Sequence, residues 1–273
     1  MSNPNKTLSL AVLSGKGGVG KSNIALNLGY ALYAQNQSAM LMDCDLGLAN
    51  LDVMLGISPE KNLQDLLTPE VSPLDVVTVL EKNGLDLLPA ASGVPELVEM
   101  DEEQREELFR KLKDLLGRYS YLILDLGAGI SPTVLSFASM AHLRLVVVTP
   151  EPTSLTDGYA LMKVLVNKHH VEEFHVLVND AASTAEAKAT FTRLAAACRK
   201  FLDIDPVYMG SVRHDKAVPD SVRKQTPLMK NAPRSGAARD ILALSQILIK
   251  YREENQAFLS ASSPLSNFPA FKG

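Results

Sequence analysis

Gly15-Lys16-Gly17-Gly18-Val19-Gly20-Lys21-Ser22 is the stretch that decides the fold. It satisfies G-x-x-x-x-G-K-[ST], the phosphate-binding loop, at every fixed position. Before it, Leu8-Ser9-Leu10-Ala11-Val12-Leu13 reads as a buried strand. After it, Asn23 to Leu32 carries apolar residues at helical spacing. The loop therefore joins a strand to a helix, which is the context the motif needs. Its glycines let successive backbone N–H groups turn toward one centre. The helix N-terminus behind them adds partial positive charge, so the site suits a polyphosphate. Lys21 is placed to reach the β- and γ-phosphates and Ser22 to bind Mg²⁺.

Working outward, apolar runs alternate with amphipathic stretches. Strands are expected at Ala39–Met42, ending at Asp43, and at Leu85–Pro89, Tyr121–Leu124, Leu143–Thr149, His175–Val178 and Val207–Val212. Helices are expected at Glu102–Leu116, at Ser154–Asn167 with Ser154 as cap and Asp157 in the first turn, at Ala185–Phe201 and at Ala237–Glu254. Strands that are nearly continuous in apolar residues, each followed by a helix, predict a single doubly wound α/β domain. Its sheet is mainly parallel and covered on both faces. The domain is expected to span 1–254. Residues 255–273, rich in Ser and Pro with scattered Phe, are expected to form a loose tail or a segment that orders on binding.

Three strand ends carry the chemistry. Asp125 closes a buried strand and precedes Leu126-Gly127-Ala128-Gly129-Ile130. A carboxylate there is where a phosphate-loop enzyme holds Mg²⁺. Asp43 and Asp45 follow the second strand at i and i+2 and share one face, so both point at the phosphate loop if the two strands are parallel. On residue chemistry alone this pair suits a metal equally well. Asn179 follows the strand ending at Val178, where its amide can pair with an adenine edge through donor and acceptor together.

Lys16 adds a second cation inside the loop. With it the loop resembles K-G-G-x-G-K-[ST], the deviant phosphate loop of the MinD/ParA family of dimerising ATPases. The resemblance implies a MinD-like fold, ATP and ADP as ligands with Mg²⁺, slow hydrolysis, and a homodimer in which Lys16 reaches the partner's nucleotide. Asp43-Cys44-Asp45-Leu46-Gly47-Leu48-Ala49-Asn50-Leu51-Asp52 resembles the family's first switch, D-x-D-x-G-L-x-N-x-D. By that resemblance Asp45 orients the attacking water, and Asp43 joins Ser22 and Asp125 around Mg²⁺. Catalysis then rests on Lys16, Lys21 and Asp45. The nucleotide is held by Gly15 to Ser22, Asn179 and Arg213. Asp45 to Gly56, Pro89 to Gly93 and Glu151 to Leu161 are similar to the FlhG/FleN subgroup. That implies control of flagellar number or placement through an FlhF-type GTPase or a flagellar transcription activator. Two positions depart from the pattern: Leu126 stands where the family usually has Ser or Thr, and Arg213 where it usually has Pro. Seven residues precede the first strand, so the N-terminal extension with which some FlhG proteins stimulate FlhF is not expected here.

Composition excludes other classes. The 273 residues are 46% hydrophobic with a formal net charge of −4, so nonspecific attraction to nucleic acid is not expected. The region 206–239 holds seven Lys or Arg. These keep a ParA-like DNA-partitioning role as the alternative, although a solvated face is the expectation. Cys44 and Cys198 lack metal-ligand spacing and fit a reducing cytoplasm. There is no signal peptide pattern and no apolar run of the ~20 residues a membrane helix needs. In the tail Phe258, Leu259, Leu265, Phe268 and Phe271 are apolar, but Pro264 and Pro269 interrupt them and Lys272 is the single base. At most weak, ATP-dependent attachment to the inner face of the membrane is expected from it.

Overall fold

The computed structural model of the protein describes residues 3–45, 50–90 and 102–265. Eight strands form one sheet: β1 (Leu8–Leu13), β2 (Ala39–Cys44), β3 (Thr78–Glu81), β4 (Leu85–Leu88), β5 (Tyr121–Leu126), β6 (Leu143–Val148), β7 (His175–Ala181) and β8 (Val207–Arg213). Their order is β3-β4-β2-β5-β1-β6-β7-β8. All neighbours are parallel except β3, which pairs antiparallel with β4 at one edge. The helices are α1 (Lys21–Tyr33), α2 (Leu51–Leu55), α3 (Glu102–Leu116), α4 (Pro132–Met140), α5 (Pro152–His169), α6 (Thr184–Leu202), α7 (Ala217–Arg223), α8 (Leu228–Asn231), α9 (Gly236–Glu254) and α10 (Gln256–Ala261).

Residues in the central strands β1, β2 and β5 are buried without interruption. This is why their sequences show apolar runs rather than alternation. Leu10 and Val12 of β1 face the core shared with α1 and α9, while Ala11 and Leu13 face the core shared with α3 to α6. Leu126 belongs to the second core and is fully buried there. The neighbouring Asp125 is turned to the opposite side by strand alternation.

Helix boundaries differ from the expectation where a cap was misread. α5 begins at Pro152, two residues before Ser154, with Glu151 at the N-cap and no acidic side chain in its first turn. The Ser154 hydroxyl instead accepts from Thr149 N at 2.9 Å, closing the β6–α5 turn. Proline at the first helical position explains the earlier start, since its fixed φ suits that site. Between β2 and β4 lie two short 3-10 turns, Leu63–Leu67 and Pro73–Val76. The buried Lys111 of α3 fastens this segment by donating to the carbonyls of Leu66 and Thr68 at 2.8 and 2.7 Å.

The start of the tail is not loose. α10 docks Leu259, fully buried, into the α1/α9 core, and Leu265 packs on the core of the other face. The segment thus passes under the foot of the sheet. His142 holds it there: Nδ1 lies 2.9 Å from Ser9 Oγ, Nε2 lies 2.9 Å from Ser262 Oγ, and Phe258 meets the ring edge-on. Phe268, Pro269, Phe271 and Lys272, on which the membrane expectation partly rested, lie outside the described residues, as do Leu46–Ala49 and Ala91–Gly93.

Burial pushes the His142 imidazole down from 6.5 to about 4. The unfolded chain takes up that proton below its ordinary value, whereas the folded chain does so only near 4. Stability therefore falls as pH drops through this window, by roughly 3 kcal/mol in all. Buried carboxyls titrate with opposite sign over the same range, so the quantity to read is the difference between wild type and His142→Gln. Urea unfolding from pH 6.5 to 4 is expected to show a shallower loss of stability in the variant from this group; parallel curves would contradict it.

Candidate functional site

The phosphate loop lies at the carboxyl end of β1, between β5 and β6, where the sheet's connections diverge to the two sides. Open α/β sheets bind ligands at this crevice. Two glycines are sterically required. A Cβ on Gly15 would sit 2.1 Å from the Asp157 carbonyl oxygen in α5. Gly20 has φ 89° and forms the N-cap of α1, and a Cβ there would sit 2.4 Å from Asn179 Nδ2. Ser14 O accepts from Gly129 N at 2.9 Å, tying the loop to the turn after β5.

Behind the loop, Lys21 is buried and donates to Asp125 Oδ1 at 2.7 Å. Its Nζ is also 3.3 Å from Ser22 Oγ, and the Ser22 hydroxyl bonds Asp125 as well. Asp43 stands directly beside Asp125 in the β2–β5 register. Burial, then the neighbouring Asp125 charge, push Asp43 up to about 7, against three backbone N–H donors that pull it down. Burial also raises Asp125, against the pull of Lys21. Two buried carboxylates thus lie side by side, and one of them is paired with the Lys21 ammonium.

Asp125 Oδ2 is buried and has no hydrogen-bond partner among the described residues. An anionic excess with an orphaned oxygen beside a phosphate cradle fits a divalent cation. Among the described residues no three His, Cys, Asp or Glu side chains converge on a metal. That suits Mg²⁺, which commonly takes one or two carboxylates and completes its shell with water and substrate phosphate.

Asp43 has a further task that its sequence position did not reveal. Its Oδ1 accepts from Asp45 N at 3.0 Å, and its Oδ2 accepts from Asn50 N and Leu51 N at 3.1 and 3.2 Å. One carboxylate thus holds both Asp45, after β2, and the start of α2. Asp45 lines a cavity of about 430 Å³ on the phosphate side, with Ser22, Asn50, Val53 and Val222.

A second cavity, about 380 Å³, opens from the loop toward Asn179, Asp180, His214, Val218 and Pro219. Asn179 lines it and also braces the loop, donating to Val19 O at 2.8 Å. Arg213 lines it too, but its guanidinium is committed elsewhere. Nε and Nη2 bind the two Asp240 oxygens of α9 at 2.8 and 2.7 Å. The Asp180–His214 pair, 2.7 Å apart, flanks the same opening and was not singled out from sequence.

Lys16 points away from the cradle. Its Nζ donates to Glu151 Oε2 at 2.8 Å and to Thr153 Oγ1 at 3.1 Å, at the start of α5. The site residues expected from sequence therefore form two groups. Lys21, Ser22, Asp43, Asp45 and Asp125 gather at the phosphate end, and Asn179 and Arg213 gather at the far opening. Lys16 stands at the rim between them.

The buried pair yields a stability prediction. Lys21→Met leaves Asp125 without its cation, beside Asp43, and is expected to destabilise the protein by about 3 kcal/mol. Adding Asp125→Asn to that variant is expected to recover part of the loss. Thermal unfolding of the two variants checks both; equal stability of Lys21→Met and wild type would contradict the charge argument.

Comparison with known proteins agrees with this geometry. The ParA family model, an NUBPL iron-transfer P-loop NTPase, matches residues 6–249. The antiactivator FleN of Pseudomonas aeruginosa is 39% identical over 237 residues, 87% of this chain and 84% of that protein. The flagellum site-determining protein YlxH of Helicobacter pylori is 32% identical over 252 residues, 92% and 85% of the two chains. Among solved structures, the septum site-determining protein MinD of Pyrococcus horikoshii, complexed with Mg-ADP, superimposes with a TM-score of 0.71. It is 22% identical, over 90% of this chain and 97% of that one, a likeness of fold. A phosphate loop with a second lysine, on a sheet of this order and with relatives of this extent, places the chain in the ParA/MinD family of P-loop ATPases.

Proposed function

We propose that the protein is an ATP-controlled dimerisation switch with slow hydrolysis, which regulates flagellar number or placement through partner proteins. The observation that carries this is the division of labour between two lysines in one loop. Lys21 is buried against Asp125 and serves its own phosphates. Lys16 lies on the rim with its side chain 39% exposed, bonded to Glu151 and Thr153 at the start of α5. An exposed ion pair of this kind contributes about 1 kcal/mol or less, so it yields readily to a stronger anion. The triphosphate of a second copy is such an anion, and binding it would join two subunits face to face.

Within one subunit the N–H groups of Gly15 to Ser22 cradle the phosphates, and Lys21 exchanges its carboxylate partner for them. Ser22, Asp125 and Asp43 would hold Mg²⁺, which supplies charge neutralisation of the β- and γ-phosphates when bound. The base occupies the second cavity against Asn179; the Arg213 guanidinium, taken by Asp240, stays out of that contact. Asp45 orients the attacking water. Hydrolysis removes the charge that Lys16 reaches for, and the dimer dissolves. Similarity to the antiactivator FleN and to the flagellum site-determining protein YlxH supports the flagellar reading. The partner is then an FlhF-type GTPase or a flagellar transcription activator. The protein works in the cytoplasm, with at most weak attachment to the inner face of the membrane. No helix among the described residues is long and apolar enough to cross one.

A DNA-partitioning role gains little from the basic stretch. Arg213 pairs with Asp240, Arg223 with Asp220 and Lys230 with Glu81, so much of its charge is already neutralised.

Two variants test the switch. Lys16→Ala is expected to bind ATP as wild type does, yet to remain monomeric by light scattering. Asp45→Ala is expected to bind ATP, lose hydrolysis and persist as a dimer. Normal ATP-dependent dimerisation of Lys16→Ala would overturn the reading.

A further inference from the structure

α2 is five residues long, too short to hold its shape unaided, because a helix that short barely repays nucleation. Yet its position matters, since it is the continuation of the segment that carries Asp45. At its start it is held by the Asp43 carboxylate and by the fully buried Leu51. At its end it is held from a distant part of the chain. Gln225 Nε2 donates to Val53 O at 2.8 Å, across 172 residues of sequence. The Gln225 side chain also closes over Gly56, where an added Cβ would meet Gln225 Oε1 at 3.2 Å.

Gln225 itself sits in a costly conformation. It follows α7 and has φ 48°, the left-handed region that ends many helices and that glycine occupies most easily. Its N–H bonds Val222 O at 3.0 Å, and Thr226 N bonds Ser221 O at 3.1 Å. A non-glycine residue here costs about 1 kcal/mol. A side chain retained at that cost, and spent on a long-range contact to the switch, points to a function for the contact.

The element behind Gln225 is firmly placed. Ala217 N at the start of α7 donates to Asp215 Oδ1, and Asn231 Nδ2 donates to the Ser221 hydroxyl. α7 also stands between the two cavities. Val218 and Pro219 line the opening by Asn179, while Val222 lines the phosphate-side cavity beside Val53.

We propose that Gln225 is a positioning residue for hydrolysis: it fixes α2 against α7, and α2 is tied through the Asp43 carboxylate to Asp45. This rests on the ATPase switch reading above. Gln225 touches no reacting atom and acts only through Val53 and Gly56.

The decisive variant is Gln225→Gly, which deletes the contact and relieves the backbone at once. Its unfolding midpoint is expected to equal or exceed that of wild type. Its ATP affinity is expected to stay within about twofold, while kcat falls about tenfold or more, the size of effect that misplacing a reacting group produces. In the nucleotide-free protein the amides of Met54, Gly56 and Ile57 are expected to exchange with solvent faster than in wild type, with those of α9 unchanged. Gln225→Glu keeps the size but turns an acceptor on Val53 O, and is expected to reproduce the loss. Gln225→Lys restores a donor and is expected to recover part of kcat. Wild-type kcat in Gln225→Gly overturns the proposal, whether or not α2 exchanges faster. Failure of the wild-type protein to bind ATP would instead remove the reading beneath it, and a binding titration run first separates the two.

Discussion

Two buried carboxylates set against one buried ammonium are the constraint on which this molecule turns. Lys21 neutralises one of the pair, and Asp43 and Asp125 lie side by side on adjacent strands. Such a cluster is unfavourable in isolation, and the fold tolerates it because the carboxylates find other partners. Asp43 is surrounded by backbone N–H groups of the switch segment, and Asp125 by Lys21 and Ser22. The sheet order is what creates the cluster. Only with β5 between β1 and β2 do the ends of all three strands converge under the phosphate loop. The same carboxylate ties the cluster to the amides of Asn50 and Leu51 at the start of α2.

Much of this was legible in the sequence, and for identifiable reasons. Central strands of a parallel sheet are buried on both faces, so LSLAVL, AMLMDC and YLILDL announce themselves as apolar runs closed by a polar residue. The placing of the phosphate loop, Asp43, Asp45 and Asp125 follows because each stands at the end of a buried strand; what Asp43 and Asp45 would do there was read from the family resemblance. Short elements were less legible. β3 has only four residues and no fully buried one, so it carries no apolar run. α4 follows the Gly-rich turn after β5, and its nine residues are too few to show a period. Ser154 looked like a cap because serine favours that position, but Pro152 had already begun the helix. The docking of α10 depended on His142, more than a hundred residues away. Contacts between distant segments leave little trace in local pattern, and Gln225, Glu151 and the Asp180–His214 pair were missed for that reason.

The two lysines of the loop show how little sequence separation is needed to divide chemical roles. Five residues apart, they differ in burial, partner and direction. Lys21 is the first residue of α1 and is carried inward by the helix, against the strand end of β5. Lys16 precedes the tight turns at Gly18 and Gly20 and is carried outward, to the start of α5. The glycines between them are what allow the chain to reverse so sharply.

The strap under the sheet also fastens the start of the described chain. Asn3 and Lys6 at one end meet Ser260 and Gln256 near the other, and Arg252 bonds the carbonyls of Asn5 and Lys6. Residues 3–6 and 252–260 are therefore gathered together at the foot of the sheet, at the pole opposite the phosphate loop. The two segments hold one another, so peeling 256–262 from the sheet would also strip Asn3 and Lys6 of those partners, at the end away from Lys16 and both cavities.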